Sequence, residues 1–205
     1  MATLLDTPRV PPLELKDWSP ELKNAMWFPK DAQNREDLPE MISKVFNVTA
    51  TMANHPILAK NWNHFAMHIM GTNSLSPRLR EIAIMRIGYL CQSDYELSQH
   101  AWISQFAGIT EGEISNLIEG AEAPGWSPLE SAVIQAADEL KESNIISDAT
   151  WYELEKEGLS VQQRMDLIFT IGQYNLVSWA LNSLGVQLDE GLDSFLDVRH
   201  TTVGC

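Results

Sequence analysis

The sequence predicts an all-α protein, for two reasons. Signals for helix starts recur along the chain, because a capping serine precedes a proline at Ser19-Pro20, Ser76-Pro77 and Ser127-Pro128. Signals for strands are missing from the sequence, since no alternating run rich in Val and Ile is bounded by Asn-Gly or Asp-Gly. These observations together predict about eight or nine helices and no sheet.

Further helix starts follow from capping boxes, in which a Ser or Thr and a Glu or Gln three residues later cap each other's backbone. Such pairs occur at Thr110/Glu113, Ser127/Glu130 and Ser160/Gln163. After Ser127 the apolar residues keep the helical period, at Leu129, Ala132, Val133, Ala136, Ala137 and Leu140. Residues 161–184 are mostly apolar, which predicts a long helix buried on much of its surface.

The length of 205 residues favours one domain with a sizeable core. We predict an extended, proline-bearing arm over residues 1–18, a single all-α domain over residues 19–191 and a flexible tail over residues 192–205. Pro124, Gly125 and Trp126 predict a turn inside the domain.

Composition limits the classes of partner. A formal charge of −14 and a pI near 4.6 argue against nucleic acid and anionic membranes, because both are bound through basic patches. Cys91 and Cys205 give neither a disulfide framework nor a zinc-binding pattern. No apolar run approaches the roughly 20 residues that span a bilayer, and the N-terminus has no apolar core typical of a signal peptide. We therefore expect a cytoplasmic protein with a small-molecule substrate.

Residues that could carry chemistry concentrate between residues 76 and 110. If this stretch is helical, Ser93, Glu96 and His100 share one face, since their offsets are three, four and seven residues. Glu81 lies upstream in an apolar run, where burial is expected to raise the pKa of a carboxyl group and suit it to proton transfer near neutral pH. Histidine is the other usual proton carrier.

Each of these residues also has a plain structural interpretation. Ser93 and Glu96 fit a capping box at the start of a second helix. Glu96 and His100 also fit an ordinary i,i+4 pair on a solvated face. Glu81 could form a salt bridge to a nearby arginine, the candidates being Arg78, Arg80 and Arg86. Cys91 is expected to be a buried apolar residue rather than a nucleophile.

The segment from about residue 75 to 114 resembles the shared core of the carboxymuconolactone decarboxylase and alkylhydroperoxidase-D superfamily. That family is marked by a Glu, a Cys-x-x-Cys that starts twelve residues later, and a His four residues after the second Cys. Here Glu81 is followed at the same spacing by Ser93, Glu96 and His100, so the frame is kept and both sulfurs are absent. Tyr95 and Glu96, with His100, resemble the signature of the non-peroxidase branch.

Wider similarity to this family runs from about residue 46 to 188. The quoted matches are Asn54-His55-Pro56, Asp138-Glu139-Leu140, Gly172-Gln173-Tyr174-Asn175 and Leu181-Asn182. The resemblance implies an alkylhydroperoxidase-D-like helical bundle that forms a symmetric homo-oligomer, a trimer or hexamer, with pockets near subunit interfaces. It also implies acid–base roles for Glu81 and His100. Thiol peroxidase chemistry is disfavoured, because it requires an attacking thiolate and a resolving thiol.

His64 and His68 form a second pair of interest. Their i,i+4 spacing can present two imidazoles to one metal ion, but no third ligand is evident from the sequence. We therefore predict no metal site. The two histidines could simply face solvent or a neighbouring subunit, but we expect both to line a substrate pocket. Tyr174, on the predicted long helix, could face the same pocket.

The sequence thus predicts a cofactor-independent lyase or isomerase, decarboxylase-like, that acts on a small organic acid, lactone or carbonyl compound by general acid–base catalysis. The predicted catalytic residues are Glu81, Glu96 and His100, and the predicted substrate-binding residues are Ser93, Tyr95, His64, His68 and Tyr174. Three alternatives stay open: a peroxidase-related antioxidant protein, a non-catalytic oligomeric binding protein, and a metal-dependent enzyme that uses His64 and His68.

Overall fold

The structure is a computed structural model that describes residues 5–26, residue 36 and residues 47–197. Within these ranges the chain forms nine α-helices and no β-strand, which confirms the predicted all-α class. The helices are α1 (Pro20–Ala25), α2 (Asn47–Met52), α3 (Pro56–Met67), α4 (Pro77–Leu90), α5 (Asp94–Phe106), α6 (Glu111–Glu119), α7 (Pro128–Ser143), α8 (Asp148–Lys156) and α9 (Val161–Leu184). A 3₁₀ turn (Leu15–Asp17) precedes α1, and a π-helical segment (His68–Thr72) extends α3.

Local capping sets where the predicted helices begin. The hydroxyls of Ser19, Ser76 and Ser127 each accept the backbone N–H three residues later, and each serine precedes a proline. The three predicted capping boxes, which begin at Thr110, Ser127 and Ser160, are all present. The long helix spans residues 161–184 as predicted and ends at Gly185, whose φ of 70° is a left-handed conformation that glycine adopts without strain.

Helix α4 lies at the centre of the bundle and packs against α5, α7 and α9. All residues from 81 to 88 are buried, including the charged Glu81 and Arg86. Arg86 binds both carboxylate oxygens of Asp138 on α7 and donates to the carbonyls of Leu117 and Ile118 on α6. Arg86 thus joins α4, α6 and α7. None of these hydrogen-bond partners is shared with Glu81.

The two ends of the described chain pack onto the bundle. In the N-terminal arm, the backbone N–H of Arg9 donates to the carbonyl of Leu184 at the end of α9. Residues 192–197 differ from the predicted flexible tail, because Phe195 belongs to the core and its N–H donates to Ser98 Oγ. The next N–H, of Leu196, donates to Asp94. Residues 1–4 of the predicted arm and 198–205 of the predicted tail lie outside the described residues.

None of the helices in the described part of the chain is long and apolar enough to cross a membrane.

Candidate active site

Three ionisable side chains form a row of polar contacts where α4 meets α5. Glu81 Oε2 accepts a hydrogen bond from His100 Nδ1 at 2.6 Å. The other ring nitrogen, His100 Nε2, lies 3.3 Å from Glu96 Oε1, one turn earlier on α5. The structure therefore brings the three predicted catalytic residues together, in an arrangement that we call the Glu–His–Glu row (Glu81, His100 and Glu96).

Arg80 binds the buried end of this row. Its Nε and Nη2 atoms each lie 3.2 Å from Glu81 Oε1, and Nη1 donates to the carbonyl of Met70. The salt bridge that was the structural alternative for Glu81 is therefore present, with Arg80 as the partner. It coexists with the contact between Glu81 and His100, so the structural and the chemical interpretations of Glu81 do not exclude each other.

Interactions within the row favour the charged forms of both Glu81 and His100, which therefore form an ion pair. Burial opposes the charged form of His100, but Glu81 and then Glu96 outweigh it and raise the pKa of His100 to about 10. Burial likewise opposes ionisation of Glu81, yet His100 and Arg80 hold the pKa of Glu81 below its ordinary value. The expectation of a raised Glu81 pKa is therefore wrong, because partner charges outweigh desolvation. His100 is a cation at neutral pH.

One end of the row opens onto a cavity of about 220 Å³ between α3, α5 and α9, which we call the polar cavity. Its lining combines polar and apolar side chains: Thr49, Asn63, Tyr95, Glu96, Gln99, His100, Gln173 and Tyr174 with Met26, Val48, Trp62, Ala66, Ile69, Met70, Ile103 and Val177. Glu81 is absent from this lining and fully buried. An apolar wall with a few convergent polar groups is the usual form of a small-molecule site.

Tyr174 lies against the row, as predicted for a residue facing the pocket. Its ring meets the His100 imidazole edge-on, with centroids 5.0 Å apart, and its hydroxyl donates to Met70 Sδ. Burial, together with the carboxylates of Glu96 and Glu81, raises the pKa of Tyr174. The phenol therefore stays protonated at neutral pH.

Gln173 is a residue of the cavity that sequence analysis missed. It is 4% exposed, and its Oε1 has no hydrogen-bond partner. The sequence offered one signal, a glutamine on the face of α9 that also carries the buried apolar residues Val177 and Leu181. A buried amide oxygen without a partner costs free energy that a ligand donor would recover.

Ser93 and Tyr95, both predicted to bind substrate, differ in their position relative to the polar cavity. Ser93 occupies the N-cap position of α5, but its hydroxyl makes no capping bond and has no partner, so the capping box with Glu96 is not formed. Ser93 is fully buried and outside the cavity lining. Tyr95 does line the cavity, and its hydroxyl donates to Asp189 at 2.5 Å. A substrate role for Ser93 and Tyr95 stays a prediction.

His64 and His68 lie outside the lining of the polar cavity. His64 is exposed on α3. His68 Nε2 lies 3.0 Å from Asp166 Oδ1, and its Nδ1 lies 3.0 Å from the hydroxyl of Thr72. Among the described residues no group of three or more His, Cys, Asp or Glu side chains could hold a metal ion. The cavity thus gives no support to substrate binding by these histidines, which remains a prediction.

Cys91 is half-buried and polar in its contacts, unlike the buried apolar residue that we expected. Its thiol donates to Asn175 Oδ1 at 3.1 Å, and Lys141 Nζ lies 3.2 Å from the sulfur. Lys141 also donates to Asn175 Oδ1. This cluster lies outside the lining of the polar cavity.

Comparison with known proteins identifies the class of this bundle. Residues 56–139, which include α4, α5 and the Glu–His–Glu row, match the model of the carboxymuconolactone decarboxylase family. Residues 56–139 are therefore similar to this family, and the described bundle has the fold of alkylhydroperoxidase-D-like proteins. No curated protein sequence matches it.

Solved structures support the same fold. A peroxidase-related protein with an alkylhydroperoxidase AhpD core, from Ralstonia eutropha JMP134, is 16% identical and superposes with a TM-score of 0.72 over 89% of this chain and 93% of that chain. A peroxidase-related protein from Silicibacter sp. TM1040 is 17% identical, with a TM-score of 0.70 and 93% of each chain covered.

The debrominase Bmp8, solved as a cysteine-to-alanine variant with 2,3,4-tribromopyrrole, is 17% identical, with a TM-score of 0.68 over 90% of this chain and 94% of that chain. At these identities the likeness concerns the fold alone. The matched family is named for a decarboxylase, and one of the similar structures is a debrominase.

Proposed function

We propose that this protein is a cofactor-independent lyase or isomerase that acts on a small carbonyl compound, lactone or organic acid. The observation that carries the proposal is the Glu–His–Glu row, which begins at a buried carboxylate and ends at the polar cavity. A fixed cation beside a carboxylate, both facing a partly apolar cavity, suits reactions that pass through an enolate.

The two groups that face the cavity would have different tasks. With a pKa of about 10, His100 keeps its proton at neutral pH, so it would stabilise negative charge that develops on a substrate oxygen. Glu96 lines the cavity and would move the proton to or from the substrate carbon. Glu81 is out of reach of a substrate and would act as a positioning residue that keeps His100 charged.

Exchange of α-protons in D₂O tests this chemistry without knowledge of the natural substrate. A panel of small ketones, lactones and β-keto acids is incubated with the protein, and ¹H NMR follows loss of the α-proton signal or release of the carboxyl group. For any compound that reacts, Glu96→Gln should slow exchange by about 100-fold or more. Glu142→Gln is the matched control, because Glu142 is an exposed residue of α7. Equal rates in the wild type and Glu96→Gln would contradict the proposal.

A thiol reaction is the second candidate, favoured by the contact of Cys91 with Lys141. In such a reaction the Cys91 sulfur would attack one peroxide oxygen, and the O–O bond would break with the other oxygen leaving as water or an alcohol, so that a sulfenic acid forms. Two molecules of a small-molecule thiol would then restore the Cys91 thiol and release water and a disulfide. Peroxide consumption by Cys91→Ala at the wild-type rate would exclude it. A protein that shows neither activity, and whose Glu81→Gln and His100→Ala variants change stability alone, would be a non-catalytic binding protein.

We also propose that the protein forms a homo-oligomer, a trimer or hexamer. Support comes from an exposed apolar stripe on α9, where Val161, Met165, Phe169, Leu176 and Trp179 are each more than half exposed. Contiguous apolar surface of this kind is typical of protein interfaces.

A further inference from the structure

A second cavity, of about 160 Å³, lies beside the polar cavity. We call it the apolar cavity, because the side chains of α2, α3 and α9 and of Val186 that line it are apolar except for Thr51. Val48, Trp62 and Val177 line both cavities, so the two cavities meet at these three side chains.

Helix α9 runs beneath both cavities, and the side chains with which it lines them change from polar to apolar along its length. Gln173 and Tyr174 line the polar cavity, Val177 lines both, and Ala180 and Leu184 line the apolar cavity. Eleven residues of helix separate Gln173 from Leu184, a rise of about 16 Å. One helix face therefore offers hydrogen-bonding groups at one end and hydrocarbon at the other.

The polar end and the apolar end of this helix face each have a feature that a bound ligand would complement. Gln173 is 4% exposed and its Oε1 has no partner, so the amide can accept from a ligand hydroxyl or N–H or, turned over, donate to a carbonyl. The apolar cavity is comparable in size to an engineered cavity of about 150 Å³ that binds benzene. Leu58 and Leu176, about half exposed at its rim, extend the hydrocarbon surface.

We propose that the ligand of this site is amphipathic. Its polar group binds between Gln173 and the Glu–His–Glu row, and its apolar group, of roughly six carbon atoms, lies in the apolar cavity. The identity of the polar group as a carbonyl rests on the proposed function. Binding in the apolar cavity rests on the shape and lining of the two cavities.

Binding of straight-chain methyl ketones, from butanone to nonan-2-one, tests this arrangement. Titration followed by ligand-observed NMR measures Kd for each member of the series. Each added methylene should tighten binding about fourfold until the apolar cavity is full, after which the gain should stop. Affinity that is independent of chain length, or no binding by any member, would overturn the proposal.

Two variants separate the two ends of the site. Ala180→Leu fills the apolar cavity, so it should weaken the longer ketones by about tenfold or more and leave the shortest ones bound as in the wild type. Gln173→Leu removes the amide, so it should weaken all members by a similar factor, about fivefold. Equal weakening of short and long ketones by Ala180→Leu, in a variant with the helical content of the wild type, would contradict occupancy of this cavity.

These measurements report binding and not turnover. If the acid–base chemistry is wrong, Glu96→Gln will leave turnover unchanged, and the dependence of binding on chain length can still hold. If the two-cavity arrangement is wrong, that dependence disappears whatever the chemistry. The two failures are therefore distinguishable.

Discussion

At the scale of single residues, the two carboxylates of the row differ in what they can reach. Glu81 is fully buried between Arg80 and His100, whereas Glu96 faces the polar cavity. A buried carboxylate that keeps its charge acts through the electrostatic field that it imposes on its neighbour. Glu81 therefore controls the protonation of His100 and not the substrate directly.

Replacement of Glu81 by Gln should lower the pKa of His100 from about 10, because the closest carboxylate partner loses its charge while its size is kept. NMR titration of the His100 imidazole in the variant measures this shift. The variant should also be less stable by roughly 3 kcal/mol, because Arg80 is left beside a neutral amide. A His100 titration identical to that of the wild type would show that Glu81 does not hold the charge.

The free energy of unfolding should depend on pH because of the ion pair between Glu81 and His100. His100 has a pKa of 6.5 in the unfolded chain and about 10 in the folded one, so its stabilising effect is complete below pH 6.5 and is lost as the pH rises towards 10. The lowered pKa of Glu81 acts oppositely: its contribution is present above pH 4.5 and is lost as the pH falls.

The His100→Gln variant tests the alkaline limb, because it lacks the imidazole whose deprotonation removes this stabilisation. The Tm advantage of the wild type over this variant should shrink by roughly 10 °C between pH 6 and pH 10. Thermal unfolding followed by circular dichroism measures it. A constant difference in Tm across this range would contradict the raised His100 pKa.

The pairing of the three arginines of α4 with their carboxylates could not be predicted from the sequence. Arg78 binds Glu113 and Glu130, Arg80 binds Glu81, and Arg86 binds Asp138. Most of these partners lie on α6 and α7, so tertiary packing decides them. The family resemblance grouped Glu81 with His100 as functional residues, but it could not predict their direct contact or the orphan amide of Gln173.

At the scale of elements, the helix starts were predictable because their signals are local. A capping serine, its proline and its partner three residues later need no tertiary contact to act. The ends of the domain were not predictable in this way, because residues 195 and 196 are held by side chains of α5, about a hundred residues earlier in the chain.

The capping box of α9 should have a measurable effect on stability. Ser160→Ala removes the hydroxyl that accepts from Gln163 N, which should destabilise the protein by about 1 kcal/mol. Urea denaturation measures the change. The matched control is Ser183→Ala on the exposed last turn of the same helix, where alanine has the higher helix propensity and should be neutral or slightly stabilising. Equal losses at both positions would contradict a specific capping effect.

At the scale of the whole molecule, the exposed stripe of α9 and the charge of the chain act against each other. The stripe favours association of subunits, whereas a formal charge of −14 on each subunit opposes it. Salt screens the repulsion between subunits and leaves the apolar contact intact. Assembly should therefore strengthen as the ionic strength rises.

A charge placed in the stripe tests whether it is the interface. Phe169 is 54% exposed and sits midway along the stripe, so Phe169→Glu should bury a carboxylate in any interface formed there and convert the oligomer to a smaller species. Native mass spectrometry and light scattering measure the mass. Ile145→Glu is the matched control, because Ile145 is 67% exposed between α7 and α8, away from the stripe. If Phe169→Glu keeps the wild-type mass, or if the wild type is a monomer at all salt concentrations, the stripe is not a subunit interface.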